Sequence, residues 1–287
     1  MARPRRIQLP GAIYHLTSRG NARGRIFRHH ADRRLFLNIV AELVERFDWR
    51  CHAYCLMDNH YHLLIETIRP TLADGMRHLN GVYTQRFNRL HRRVGHVFQG
   101  RYQAVLVEKE SHLLEVCRYV VLNPVRAGIV GDPADWSWSN YRFTGGWAEP
   151  PTWLSVEWTL RQFAGTRQLA QQRYRQFVAE GLGTPSPWKH LRGQIFLGSA
   201  TFCERFVDGQ LSAEMPRDQR QPTAPPLSRL CEQGDRLTQS AAAYRCGYRL
   251  QEIAAYYGVH YSTISRWIQA AELRRMARST AQQTLRS

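Results

Sequence analysis

Along the first half of the chain the spacing of hydrophobic and polar positions switches repeatedly between two and about 3.6 residues. AIYHLTSR, residues 12–19, alternates as a strand does. DRRLFLNIVAELVERF, residues 32–47, carries apolar side chains at helical intervals behind an aspartate that suits a helix start. WRCHAYCLM and NHYHLLIE then read as two strands joined by a tight turn at Asp58-Asn59, which puts His60 at the start of the second strand. LADGMRHLNGVYTQRFNRL, residues 72–90, fits a helix despite its glycines, and HVFQGRYQAVLVE has strand character. SHLLEVCRYVVLN, residues 111–123, reads as a helix capped by Ser111 and halted at Pro124. The predicted order β, α, β, β, α, β, α suits an α+β fold of the split βαβ, ferredoxin-like type, an antiparallel sheet covered by helices.

The pattern changes after DWSWSNYR. GGWAEPP reads as a boundary, and residues 153–207 as a helical region anchored by Trp158, Phe163, Tyr174, Phe177, Trp188, Phe196 and Phe202. SAEMPRDQRQPTAPPL, residues 212–227, has linker composition. LQEIAAYYGVHYSTISRWIQ, residues 250–269, follows helix-turn-helix grammar: small Ala254, a turn at Gly258, then Ile264, Trp267 and Ile268 facing inward. Tyr261, Ser262, Thr263, Ser265 and Arg266 then face outward, a polar set suited to a major groove; an ordinary helical hairpin is the plainer alternative. The expected divisions are a first domain over 1–145, a helical extension over 146–211, a linker over 212–227 and a helix-turn-helix segment over 228–287.

Composition narrows the partner. Forty Lys and Arg against 23 Asp and Glu give a formal charge of +17, and most of the cations are arginine. The guanidinium fork binds phosphate in bidentate fashion, so nucleic acid is the favoured partner and a membrane surface is not. MARPRR precedes no apolar leader, and no run of ~18 apolar residues occurs, so a cytoplasmic location is expected. The six cysteines, Cys51, Cys55, Cys117, Cys203, Cys231 and Cys246, lack CxxC spacing and read as free thiols.

The chemistry concentrates at two places. In MDNHYHLLIE, strand alternation turns His60 and His62 to one face while Tyr61 and Leu63 face the other. Two imidazoles on one spot suit a metal ion, although a packed histidine pair has the same spacing. In RYVVLNPVRAG, Tyr119 and Asn123 are four apart on one helix face, so a phenol and an amide oxygen sit side by side. A core tyrosine followed by a helix cap reads equally well from that pair alone.

HYHLL, FQGRY and RYVVLNPVRAGIV together resemble the single-tyrosine HUH transposases, specifically the REP-associated tyrosine transposases of the IS200-like group, over roughly residues 5–143. The resemblance implies an HUH endonuclease domain in which His60, His62 and Asn123 bind a divalent cation, Mg²⁺ or Mn²⁺, and Tyr119 is the nucleophile. It implies cleavage of single-stranded DNA beside a hairpin through a 5′-phosphotyrosine intermediate, followed by strand transfer. Phenols ionise near pH ~10, so such a nucleophile calls for a proton acceptor. DNA contacts are expected from Arg3, Arg5, Arg6, Arg19, Arg23, Arg25, Arg101 and Arg126, and Tyr61, Tyr83, Tyr102 and Tyr141 are expected in the core or stacking on bases. The helix-turn-helix lies outside the minimal family domain and suggests duplex binding by a monomer or homodimer. The competing reading is a catalytically retired regulator that acts through the helix-turn-helix.

Overall fold

Alternation and strand agree closely at β1 (Ala12–Arg19), β2 (Trp49–Met57) and β3 (His60–Thr67). The structure, a computed structural model, describes residues 8–191, 195–199, 202, 227–231, 235–245, 248 and 250–284. Arg3, Arg5, Arg6, Cys203, Cys246 and the linker residues 212–226 lie outside the described residues. The chain divides into two units, one of them Gln8–Leu191 with Ile195–Ser199.

In that unit the sheet order is β2-β3-β1-β4-β5, where β4 is Gln103–Val107 and β5 is Phe196–Leu197. The first four strands pair antiparallel, in the expected ferredoxin-like order. Helices α1 (His30–Phe47) and α2 (Leu72–Leu90) pack on one face, where Phe36 meets Tyr61 at 4.7 Å and Tyr83 at 5.2 Å between ring centroids. The opposite face buries Ile13, Ala53, Cys55, Leu64 and Val107 against Leu113, Val116, Cys117 and Val120 of α3 (Lys109–Arg126). Gly75 is required in α2 because a Cβ there would come within 2.1 Å of the Trp49 indole. A bulge between Cys51 and Ala53 interrupts the alternation of β2, and Cys51, Cys55 and Cys117 are buried free thiols.

Three local expectations change. Helix α3 starts at Lys109 behind Glu108, not at a Ser111 cap, and the Ser111 hydroxyl instead bonds the Glu108 carboxylate at 2.6 Å. It also runs through Pro124 to Arg126. Proline removes the backbone N–H that would bond the Val120 carbonyl; the Asn123 amide nitrogen donates there instead at 3.3 Å, and to the Tyr119 carbonyl at 3.0 Å. Residues 146–191 and 195–199 belong to the same unit and are not helical throughout: after α4 (Tyr141–Thr144), α5 (Glu157–Arg161) and α6 (Arg167–Glu180) lead to a turn at Pro187–His190 and then to β5. Phe196 and Leu197 are fully buried and pair in parallel with Leu106 and Val107, covering the open edge of β4.

The other unit contains α7 (Leu227–Leu230), α8 (Arg236–Arg245), α9 (Leu250–Tyr257) and α10 (Tyr261–Thr284). Ala243, Ile253, Ala254, Ile264 and Ile268 form its core with Trp267 packed against them, as the helix-turn-helix pattern requires. Gly258 takes φ +65° at the turn, and the Val259 N–H returns to the Ala254 carbonyl at 3.0 Å, closing the end of α9. Among the described residues no helix is long and apolar enough to cross a membrane.

Candidate active site

The antiparallel register of β1 and β3 sets Thr17 opposite His62 and Arg19 opposite His60. The even-numbered side chains of β3 lie on the face covered by α3, so His60 and His62 share a side with Tyr119. The two imidazole centroids are 4.9 Å apart and nearly perpendicular, and His62 lies 6.1 Å from the Tyr119 ring. Spacing made these three residues candidates and the family resemblance singled them out; the fold brings them together. Asn123 sits one turn beyond Tyr119 and is buried; the two hydrogen bonds from its amide nitrogen go to its own helix, so Oδ1 is the atom with which it would ligate.

Two further residues complete the cluster. His15 of β1 lies edge to edge with His62, ring centroids 5.1 Å apart and nearly coplanar, with its Nε2 2.9 Å from His62 Nδ1. Trp188 stacks on His15 at 4.5 Å and meets Tyr119 edge-on at 5.1 Å. The signal for His15 lay in AIYHLTSR, where it shares the face of Thr17, the residue opposite His62. No local pattern marks Trp188, which was expected only as an anchor of the helical extension.

Burial drives the electrostatics of the cluster. Desolvation pushes His62 well below the usual imidazole range, with His15, His60 and Arg19 adding to the shift. Burial and then Arg19 push His60 down to about 4, and burial pushes His15 down to about 3. All three rings are therefore neutral near pH 7, the form in which histidine binds metal. His62 Nε2 is buried with no hydrogen-bond partner among the described residues, an atom whose lone pair an ion would use. Among the described residues no group of three or more His, Cys, Asp and Glu is arranged to hold a metal. The two imidazoles leave most of a coordination shell open, which suits an ion that shares its shell with phosphate and water.

The arginines divide. Arg126 places its guanidinium 5.5 Å from the Tyr119 ring centroid and donates to the Thr184 carbonyl at 3.1 Å. Arg19, exposed at the end of β1, lies across from His60. Arg23 and Arg101 are exposed, whereas Arg25 pairs with Asp58 of the hairpin turn at 3.4 Å. Tyr61, Tyr83 and Tyr141 are buried core residues, and Tyr102 is half-buried. In the other unit Tyr261 and Arg266 are exposed as expected. Ser262, Thr263 and Ser265 are half-buried, and the Ser262 hydroxyl bonds His260 Nδ1 at 2.9 Å at the start of α10, so these three are less available to a groove than their positions implied.

Residues 9–123 match the family model described as Transposase IS200 like, and residues 232–278 match that of the homeodomain-like domain. No curated protein matches the chain. Among solved structures, a REP-associated tyrosine transposase bound to a REP hairpin is similar at 17% identity over 54% of this chain and 93% of its own, with a TM-score of 0.43. A candidate transposase from Deinococcus radiodurans is similar at 16% identity over 42% of this chain and 94% of its own, with a TM-score of 0.30.

Proposed function

We propose, from the match of residues 9–123 to the IS200-like transposase model, that this chain cuts and rejoins single-stranded DNA beside a hairpin, with Tyr119 as the nucleophile. The observation that carries the reading is the meeting of Tyr119 with His62 at 6.1 Å and of His62 with His60 at 4.9 Å, from a helix and a strand far apart in sequence. A divalent ion held by His60 and His62, with Asn123 Oδ1 as a further donor, supplies neutralisation of charge on the scissile phosphate when bound.

The Tyr119 oxygen attacks phosphorus in line. The phenol gives up its proton as the new P–O bond forms, and the 3′ oxygen leaves and gains a proton to become a 3′-OH. The 5′-phosphate stays on Tyr119, so the energy of the broken ester is retained. Attack by a 3′-OH on this linkage reverses the exchange, restoring a phosphodiester and the free phenol without a nucleotide cofactor. Arg126, over the Tyr119 ring, and Arg19, beside His60, add fixed positive charge where the phosphate would lie. The homeodomain-like segment gives the chain a second DNA-binding surface, for duplex.

The test is incubation with end-labelled single-stranded hairpin DNA and Mn²⁺, followed by denaturing electrophoresis. A covalent protein-DNA adduct that carries the 5′ phosphate supports the reading. Duplex binding without any adduct across a panel of hairpins would instead support a regulator that has lost catalysis.

A further inference from the structure

Each histidine of the pair is met from behind by one polar side chain. Asn59 donates through Nδ2 to the Arg23 carbonyl at 3.2 Å, which turns its Oδ1 toward His60 Nδ1 at 2.7 Å. A carbonyl oxygen only accepts, so the His60 proton resides on Nδ1 and its lone pair on Nε2. His62 Nδ1 meets His15 Nε2 at 2.9 Å, and one proton occupies that bond. Were His15 the donor, His62 would carry its own proton on Nε2, a buried N–H without an acceptor among the described residues. Buried N–H groups are rarely left unpaired, whereas an acceptor tolerates it better. With His62 as the donor, Nε2 keeps its lone pair.

We infer that Asn59 and His15 are positioning residues that hold His60 and His62 in the Nδ1–H tautomer, presenting two Nε2 lone pairs to one ion. This rests on the reading of the histidine pair as a metal site. Neither Asn59 nor His15 need touch metal or substrate, because a partner behind a ligating imidazole orients the ring and selects its protonated nitrogen. His15 is itself held, hydrogen-bonded at its edge to the imidazole of His62 and stacked on the indole of Trp188. Trp188 lies beyond the residues matched by the family model, so a segment outside the family domain holds the residue that orients a ligand.

Two measurements on the full-length protein test the inference. Long-range ¹H-¹⁵N spectra of the histidine-labelled protein at neutral pH read the tautomers directly, and Mn²⁺ titration calorimetry reads affinity. The expectation is Nδ1–H on both His60 and His62, with Mn²⁺ affinity lowered about 10–100-fold in His15→Phe and in Asn59→Ala. His15→Gln, whose side-chain carbonyl accepts from His62 Nδ1, retains most of the affinity. An Nε2–H proton on His62 in the wild type, or unchanged affinity in both variants, overturns the inference. Where a variant does not melt cooperatively, the wild-type spectra decide. If the wild type shows both Nδ1–H tautomers but binds no Mn²⁺, the metal reading fails while the tautomer assignment stands.

Discussion

Trp188 lies edge-on to Tyr119 with ring centroids 5.1 Å apart, although Tyr119 belongs to α3 and Trp188 to the turn that precedes β5. That turn is anchored on both sides: Arg126 bonds the Thr184 carbonyl upstream of it, and Leu197 accepts from the Glu108 N–H downstream at 2.9 Å. The segment after α6 thereby walls the site. Trp188→Ala removes the packing that holds both Tyr119 and His15, and displacement of a nucleophile by about 1 Å can cost ~100-fold in rate. Single-turnover cleavage is expected to fall by about tenfold or more, with a smaller change in DNA affinity. A rate that matches the wild type assigns Trp188 to the core alone.

Tyr119→Phe deletes one oxygen and leaves the ring contacts with His62, Trp188 and Arg126 in place. Adduct formation is expected to disappear while hairpin affinity changes less than about threefold, since the lost atom is the proposed nucleophile. Residual adduct in this variant would move the search to the half-buried Tyr102, because Tyr61, Tyr83 and Tyr141 are buried in the core.

Asn123 carries two loads, and its substitution should show both. Its amide nitrogen satisfies the Val120 carbonyl orphaned by Pro124, and its oxygen is the proposed third donor. Asn123→Ala is therefore expected to lower stability by about 1 kcal/mol and to weaken Mn²⁺ binding less than His60→Ala or His62→Ala does. Urea denaturation and calorimetry read the two effects separately. Unaltered Mn²⁺ affinity in both histidine variants would mean that the pair is structural.

The strand-helix order was legible because it depends on short-range periodicity: β1, β2 and α2 fall on the residues whose spacing announces them, whereas the histidines and the tyrosine were separated from their plainer readings by the family resemblance and not by spacing. Proline's rule for helix ends misled at Pro124, because Asn123 supplies a side-chain donor where the backbone lacks one. Strand β5 was hidden because two buried residues have no period, and their pairing with Leu106 and Val107 is a tertiary fact. His15 and Trp188 were missed for the same reason, since their value lies in cross-strand register and in the return of a distant turn.

Away from the histidine pair, Glu66 is buried at the other end of β3 and is bound by His52 at 2.9 Å, Lys109 at 3.1 Å and Arg50 at 3.8 Å. The hydrogen bond from His52, then that from Lys109, pulls its carboxyl down to about 2 against the desolvation that opposes it. A depressed carboxyl stabilises the fold fully above its unfolded value, near 4.5, and the contribution fades as pH falls toward about 2. Glu66→Gln is thus expected to cost about 1–3 kcal/mol at pH 7, and the gap from the wild type should close between pH ~4.5 and ~2. Urea melts of both proteins across that range check it, and a gap independent of pH would assign the loss to packing.

The homeodomain-like segment has its own core of Ala243, Ile253, Ala254, Ile264 and Ile268, so its removal need not disturb the unit that holds Tyr119. A chain ended after Ser199 keeps β5 and Trp188, and it is expected to form the hairpin adduct at a rate within about threefold of the full-length protein. Duplex affinity should fall, together with the steepness of its salt dependence, because fewer cations then displace counterions. Arg266 is exposed on α10, so Arg266→Ala in the full chain should reduce discrimination between duplex sequences more than non-specific affinity if the side chain reads base edges. A uniform loss across sequences would instead make it a phosphate contact. Gel shifts at two salt concentrations, with a melting curve of the shortened chain, separate these outcomes from a structural role: unchanged duplex binding combined with loss of the cooperative melt would show that the segment serves stability and not recognition.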